Sequence, residues 1–439
     1  MPCPATTNPF PCTALLLFAT ALSACSSAGG DGESDRRVSV TRREVKVGNV
    51  LSVTEETHTS EPVAAPSPDR AQPQSSNLTA GDHDDLLNPD LYAGYANRFL
   101  QQQHVPLPFI DPRRRVAVRI VDATGKPVPQ ARIALRGEDG GESLSLVSAA
   151  DGVASIYPGF DALRGRVRVS VASDAGTTDR MIDLRGSGRQ DVTLTMPGQG
   201  RAVRAMDLVL VLDTTGSMGD EMRYLQAELE TIVARLKRDA GNLDLRIGLV
   251  VYRDEGDDYV SRAYPLTGDI GALRTTLAQQ DADGGGDMPE AVDRALADAS
   301  AMSWRPDAAK VVLLVADAPP HERAFGATLD AARRLRGDGV QIVPVAASGV
   351  EDNAQYMMRA MAVLTQGRYI FLTDDSGIGN PHAEPDVACY VVTRLDLLIA
   401  RVLAGMAEGR RIEPAQSEII RTVGDYDNGR CRPPVTAMN

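Results

Sequence analysis

Residues 207–218 read Asp-Leu-Val-Leu-Val-Leu-Asp-Thr-Thr-Gly-Ser-Met, and this stretch decides the fold. Five consecutive apolar residues between two aspartates show no alternation and are too few for a buried helix, so they describe a strand covered on both faces. Gly216 and the hydroxyl residues around it interrupt that strand. From Glu221 to Arg238 the apolar positions fall at helical spacing. The pattern then repeats. Apolar runs at 245–253, 310–317, 340–347 and 368–373 read as further buried strands, and 290–302, 327–336 and 391–408 read as helices. Strands alternating with helices predict an α/β domain built on a doubly wound, mostly parallel sheet. In such sheets ligands bind beyond the carboxyl ends of the strands, and the polar residues Asp213 and Asp317 both fall there.

The spacing of Asp213, Thr215 and Ser217 lets a loop leaving the strand turn all three towards one point. One carboxylate and two hydroxyls make a hard, oxygen-only donor set of low charge, suited to Mg²⁺, with Mn²⁺ or Ca²⁺ as substitutes. The competing assignment is that Asp213 and Ser217 cap the helix that follows. The Asp-x-Thr-x-Ser motif, with its surroundings from about Met206 to Gly405, resembles von Willebrand factor type A (vWA) domains and their metal-ion-dependent adhesion site (MIDAS). The resemblance implies that Asp317, in Asp317-Ala-Pro-Pro-His321, accepts hydrogen bonds from metal-bound water. It also places Gly284-Gly-Gly-Asp287-Met-Pro-Glu-Ala291 where the family has a glycine-rich turn and a coordinating threonine; Asp287 stands there as a ligand or as a helix cap. With Tyr252-Arg253-Asp254 these motifs resemble a hemicentin-like branch. Asp254 is expected to pair with Arg253 or to cap a loop.

Two enzymatic alternatives compete. Asp213-Thr-Thr-Gly-Ser is similar to the motif of enzymes that use an aspartyl phosphate, but Lys310 begins a strand at the opposite edge of the sheet. Gly216-Ser-Met-Gly219 is similar to a nucleophile elbow, but Thr215 replaces its first glycine and His321 and His382 fit no triad order. The sequence therefore reads as non-enzymatic. A net charge of −13 argues against nucleic acid. Function is expected to be metal-dependent binding of a protein partner presenting Asp or Glu. The alternative is a structural or assembly lipoprotein in which the metal only stabilises the fold.

Upstream, Ala14–Leu22 is an apolar run the size of a signal-peptide core, too short to span a bilayer. Leu22-Ser-Ala-Cys25 after it resembles the lipobox of bacterial lipoproteins, which implies a lipid on Cys25 as the membrane attachment and Ser26 as a mark of the outer membrane. Only Cys389 and Cys431 then remain in the mature chain. An even pair in an oxidising compartment predicts a disulfide, with two buried thiols as the alternative. Almost all of the 46 basic residues are arginine, which suggests a GC-rich bacterial genome.

The expected layout is a signal peptide over 1–24, a disordered Pro- and Ser-rich tether over 25–87, a short helix and Pro-rich connector over 88–112, and a β-sandwich over 113–198. The vWA domain follows over 204–408, then a carboxy-terminal tail over 409–439. Within the sandwich, runs at 116–123, 131–137, 166–173 and 191–196 alternate like strands, separated by Gly and Asp turns. Asp122-Ala-Thr-Gly-Lys-Pro-Val-Pro-Gln-Ala-Arg-Ile and Ala150-Asp-Gly-Val-Ala are similar to carboxypeptidase regulatory-like, transthyretin-like domains. That likeness implies a spacer or display module without catalytic groups.

Overall fold

The computed structural model describes residues 45–47, 50–52, 78–103, 107–137, 142–241, 243–286, 288–347, 349–376 and 385–432. Cys25 and Asp287 lie outside them. The residues up to Pro68 form one unit, in which strands β1 (Val45–Val47) and β2 (Val50–Ser52) pair antiparallel. Asp69–Asn439 is the second unit.

A nine-stranded mixed sheet organises the second unit. Its third strand from one edge is β11 (Ala205–Asp213), flanked in parallel by β12 (Asp244–Tyr252) and β14 (Ala309–Ala316). Beyond β14 come β15 (Val340–Ala346) and β16 (Tyr369–Thr373), also parallel. All nine residues of β11 are buried. Leu208, Leu210 and Leu212 pack on one face with α2 (Gly219–Asp239), α3 (Ile270–Ala278) and α7 (Leu395–Glu408). Val209 and Val211 pack on the other with α1 (Pro89–Gln102), α4 (Val292–Ser300), α5 (Phe325–Gly337) and α6 (Asp352–Thr365). The uninterrupted apolar run is thus the signature of a strand between two helical layers. Among the described residues, no helix is long and apolar enough to cross a membrane.

Three strands run antiparallel to the others, and the most consequential is β3 (Thr79–His83). It lies between β16 and β17 (Tyr390–Arg394), paired with both. Thr79 opposes Thr373, so the chain enters β3 at the carboxyl edge of the parallel strands. Residues 79–83, expected within a tether over 25–87, are therefore part of the sheet. Thr-Ala-Gly-Asp-His has no apolar pattern, yet all five residues are buried; local propensity gives way to position in the sheet. Gly81 is required there, since a β-carbon would lie 2.8 Å from the Phe371 ring and 2.9 Å from Tyr390. Asp82 is enclosed by Arg411 at 3.1 Å, Arg368 at 3.6 Å and Arg401 at 3.8 Å.

Other boundaries also shift. Of the helix expected over 391–408, Tyr390–Arg394 is strand β17 and only Leu395–Glu408 is helical. The helix expected from Glu290 starts at Val292. Edge strand β13 (Ser261–Thr267) pairs with β12. The residues expected as a tail add β18 (Arg421–Val423) beside β17, then the pair β19 (Tyr426–Asp427) and β20 (Arg430–Cys431). Cys431 is disulfide-bonded to Cys389, with Cα atoms 5.3 Å apart.

Where a sandwich is expected, β10 (Gln190–Thr195), β4 (Val116–Val121) and β7 (Val153–Ile156) form a three-stranded sheet. A second sheet has four strands: β6 (Glu142–Val147), β5 (Arg132–Arg136), β8 (Arg166–Ser173) and β9 (Gly176–Asp183). Val167, Val169 and Val171 of β8 face the core while Arg166 and Arg168 face out. This region is fastened to the α/β domain rather than held apart from it. The Tyr157 hydroxyl donates to the Val363 carbonyl at 2.5 Å, and Arg336 of α5 pairs with Asp161 at 2.7 Å.

Candidate metal centre

The two aspartates that bracket β11 meet opposite fates. Asp207, at its start, receives Arg246 Nη2 at 2.6 Å, Arg305 Nε at 2.9 Å and the Arg305 backbone N–H at 2.7 Å. Burial opposes its charge, but Arg246 and Arg305 hold the carboxyl below its ordinary range. Asp213, at the end of the strand, is fully buried and, among the described residues, pairs with no cation. Its Oδ1 accepts from the Thr215 backbone N–H at 3.0 Å and the Thr215 hydroxyl at 2.7 Å, and the buried Tyr252 hydroxyl lies beside the carboxyl. Oδ2 has no hydrogen-bond partner. Burial, and then the neighbouring Asp317, push its carboxyl up to about 7.

Loops at the carboxyl edge assemble the surroundings. Thr215 Oγ1 lies 3.4 Å from Ser217 Oγ, and Ser217 also bonds the Asp317 carboxylate. Asp317 follows β14, is 3% exposed, and leaves Oδ1 without a partner. Burial raises its carboxyl as well. The glycine-rich turn closes over this loop: Gly216 N–H donates to the Gly284 carbonyl at 3.2 Å, and Asp283 N–H to the Thr214 carbonyl at 3.0 Å. Asp257 holds the turn from outside, accepting from Gly285 N–H at 3.0 Å.

Four of the five residues expected at the site, Asp213, Thr215, Ser217 and Asp317, therefore come together. The helix-capping alternative for Asp213 and Ser217 is not what forms, because the cap of α2 is Met218 and no side chain bonds there. The cap of α4 is Ala291, four residues beyond Asp287. Asp254 pairs with neither Arg253 nor a loop end: its Oδ1 meets His321 Nε2 at 2.6 Å. Arg253 instead donates to the Asp281 carbonyl. Glu290 was assigned to a helix, but it is a bridge residue whose N–H donates to the Pro319 carbonyl at 2.9 Å. Its side chain is buried, and burial followed by Asp213 pushes its carboxyl up to about 9.

The donor set fits a divalent cation. Two buried carboxylate oxygens that complete no hydrogen bond, Asp213 Oδ2 and Asp317 Oδ1, beside two hydroxyls, present the electron pairs that a hard ion needs. Among the described residues, no three Asp, Glu, His or Cys side chains form a cage by themselves, in keeping with a site of mixed carboxylate and hydroxyl oxygen.

The family model of the von Willebrand factor type A domain matches residues 207–381. Residues 207–381 are a von Willebrand factor type A domain. Two curated proteins are similar to part of the chain. The alpha-protein kinase vwkA of Dictyostelium discoideum is 24% identical over 177 residues, which is 40% of this chain and 28% of that protein. A putative ariadne-like RING finger protein, R811, of Acanthamoeba polyphaga mimivirus is 33% identical over 122 residues, 27% of this chain and 12% of that one. The chain thus spans less than a third of the length of these curated relatives. Among solved structures, the conserved hypothetical protein BatB of Bacteroides thetaiotaomicron is 14% identical. That match covers 46% of this chain and 99% of BatB, with a TM-score of 0.32.

Proposed function

We propose that the chain is an envelope-anchored binding protein whose vWA domain captures an acidic group of a protein partner through a metal held at the carboxyl edge of its sheet. Asp213, Thr215 and Ser217 would hold the ion directly, Asp317 through water, with Asp287 as a further contributor. Bound there, Mg²⁺, Mn²⁺ or Ca²⁺ supplies an open coordination position that a partner's carboxylate can fill. The observation that carries this reading is the contrast along β11: Asp207 is neutralised by arginines, whereas Asp213 keeps a bare, buried oxygen. Retaining an uncompensated buried carboxylate is costly, and a cation offsets that cost.

Catalysis is not part of this reading. An aspartyl-phosphate mechanism calls for a cation beside the nucleophile, but Lys310 opposes Asp207 at the amino edge and donates to the Asp338 carbonyl at 2.8 Å. The kinase activity in the name of one relative is accordingly not proposed here. Attachment through lipidated Cys25 places the domain at a bacterial envelope, at the outer membrane on the reading of Ser26.

Calorimetry with Mg²⁺, Mn²⁺ and Ca²⁺ tests the metal, and Asp213→Ala should abolish the binding heat. Asp287→Thr should retain metal and strengthen capture of an acidic partner by removing negative charge. Capture from envelope extract should vanish with chelator and with Asp213→Ala. No binding heat, with a melting temperature unmoved by chelation, defeats the proposal; capture that ignores both chelator and Asp213→Ala leaves the metal as purely structural.

A further inference from the structure

The floor of the site at the carboxyl edge is small, and the rim above it is acidic. Asp213 Oδ2 and Asp317 Oδ1, on residues 0% and 3% exposed, complete no hydrogen bond. The floor opens to solvent past Ser217, which is exposed and bonds both Thr215 and Asp317. Around that opening stand exposed carboxylates from three segments: Asp258 in the loop after β12, Asp281 and Asp283 in the glycine-rich turn, and Glu322 in the loop after β14. The segments are joined at the site, because Asp283 N–H donates to the Thr214 carbonyl at 3.0 Å and His321, next to Glu322, meets Asp254 at 2.6 Å. Among the described residues none of these four carboxylates is paired with a cation.

The arginines at this end are engaged elsewhere. Arg323 pairs with Glu255 at 2.7 Å and Arg223 pairs with Asp220. Arg253 is buried and donates to the Asp281 carbonyl, while Arg262 stacks on the Tyr259 ring at 3.9 Å. Asp258, Asp281, Asp283 and Glu322 therefore set up a negative field over the opening. Such a field attracts bases and repels acids over a Debye length, about 8 Å at physiological salt.

We infer that this edge receives a basic segment of the partner protein, in which the captured Asp or Glu is flanked by Lys and Arg. The inference rests on the proposed metal-dependent capture and narrows its partner. A carboxylate on an acidic surface is turned away by the rim. One carried among bases is admitted, since the flanking cations meet the rim carboxylates while the carboxylate itself reaches the floor. Charge of this kind decides which partner enters, and how fast, more than how tightly it is held.

The probes are immobilised peptides of one length with a central Asp, flanked by Lys and Arg, by Ser, or by Glu, each with a counterpart carrying Asn for the Asp. The full chain is passed over them in Mg²⁺. The basic peptide should bind about tenfold tighter than the serine peptide, the combined effect of a few exposed ion pairs, and the glutamate peptide should bind weakest. A variant combining Asp258→Asn, Asp281→Asn, Asp283→Asn and Glu322→Gln should bind the basic and serine peptides nearly alike, with its Mg²⁺ binding and melting temperature unmoved. Equal binding of the three peptides, preference for glutamate, or no binding of the basic peptide at millimolar concentration overturns the inference. So does a combined variant that keeps the preference. Capture that needs Mg²⁺ and Asp213 but ignores the flanks overturns this inference alone and leaves the proposed function standing. A basic peptide held equally well in chelator, on Asp213→Ala and with Asn for its Asp defeats the proposed function and leaves only the basic segment.

Discussion

Replacing Asp82 with asparagine should unfasten the strand that the amino-terminal segment inserts into the vWA sheet. Asp82 is fully buried, and burial alone would raise its carboxyl. Arg411, Arg368 and Arg401 overcome that and hold it at about 2, against an ordinary 3.8. At about 1.36 kcal/mol per pH unit the difference is worth about 2.4 kcal/mol in favour of the folded, ionised state. Because the folded value is the depressed one, this stabilisation is complete above about pH 4 and drains away as the pH falls towards 2. Asp82→Asn removes it at every pH and also leaves three arginines facing one another without an anion, so the loss at neutral pH should reach about 3–5 kcal/mol. Urea denaturation at pH 6 and again near pH 2.5 measures both effects. The gap between the two proteins should be large at pH 6 and should narrow in acid. A gap below about 0.5 kcal/mol at pH 6, or one that does not change between pH 5 and pH 2, would refute the account.

Three further outcomes are expected. Reducing or removing the Cys389–Cys431 bond, which spans 42 residues, should cost about 4 kcal/mol on chain-entropy grounds, read as a shift in denaturation midpoint; rapid labelling of both thiols in the unreduced native protein would contradict it. Gly81→Val should destabilise by about 1–3 kcal/mol through overpacking against Phe371 and Tyr390, and a melting temperature equal to that of the unaltered protein would show that this part of the sheet is looser than described. Mass spectrometry of the mature amino terminus should find Cys25 acylated, and an unmodified start at another residue rules the anchor out.

The parts of the fold legible in the sequence are those where one force dominates. Strands β11 and β14 are buried on both sides, so apolar side chains are needed at every position and the run is plain to read. Asp213, Thr215, Ser217 and Asp317 follow because each lies at the end of such a strand or in the loop leaving it. Strand β3 was illegible for the opposite reason: Thr79, Asp82 and His83 satisfy polar groups with Thr373, three arginines and the Cys389 carbonyl, none of which is near in sequence. The same holds for Asp254 with His321, 67 residues apart. Glu290 misled because a glutamate after Pro289 and before Ala291 suits the start of a helix; the hydrogen bond to Pro319 shows that it is tied instead to the loop after β14. Tyr390–Arg394 reads as helix or strand alike, since five residues are too few to set a period.

Strand β3 also dictates an order of events during synthesis. Its partner Thr373 lies 294 residues later in the chain, so a ribosome adding about 5–20 residues per second leaves β3 without that partner for roughly 15–60 s. Residues 113–198 emerge in the meantime, and the sandwich can close from contacts internal to it. The parallel strands β11, β12, β14 and β15 come next, and they too can pair without β3. Until β3 is seated between β16 and β17, each of those strands presents an open edge. The α/β domain therefore completes by an insertion at mid-sheet rather than by growth at its rim. Any factor that holds back residues 79–83 until late in folding, such as passage through a membrane, acts on the final step of assembly.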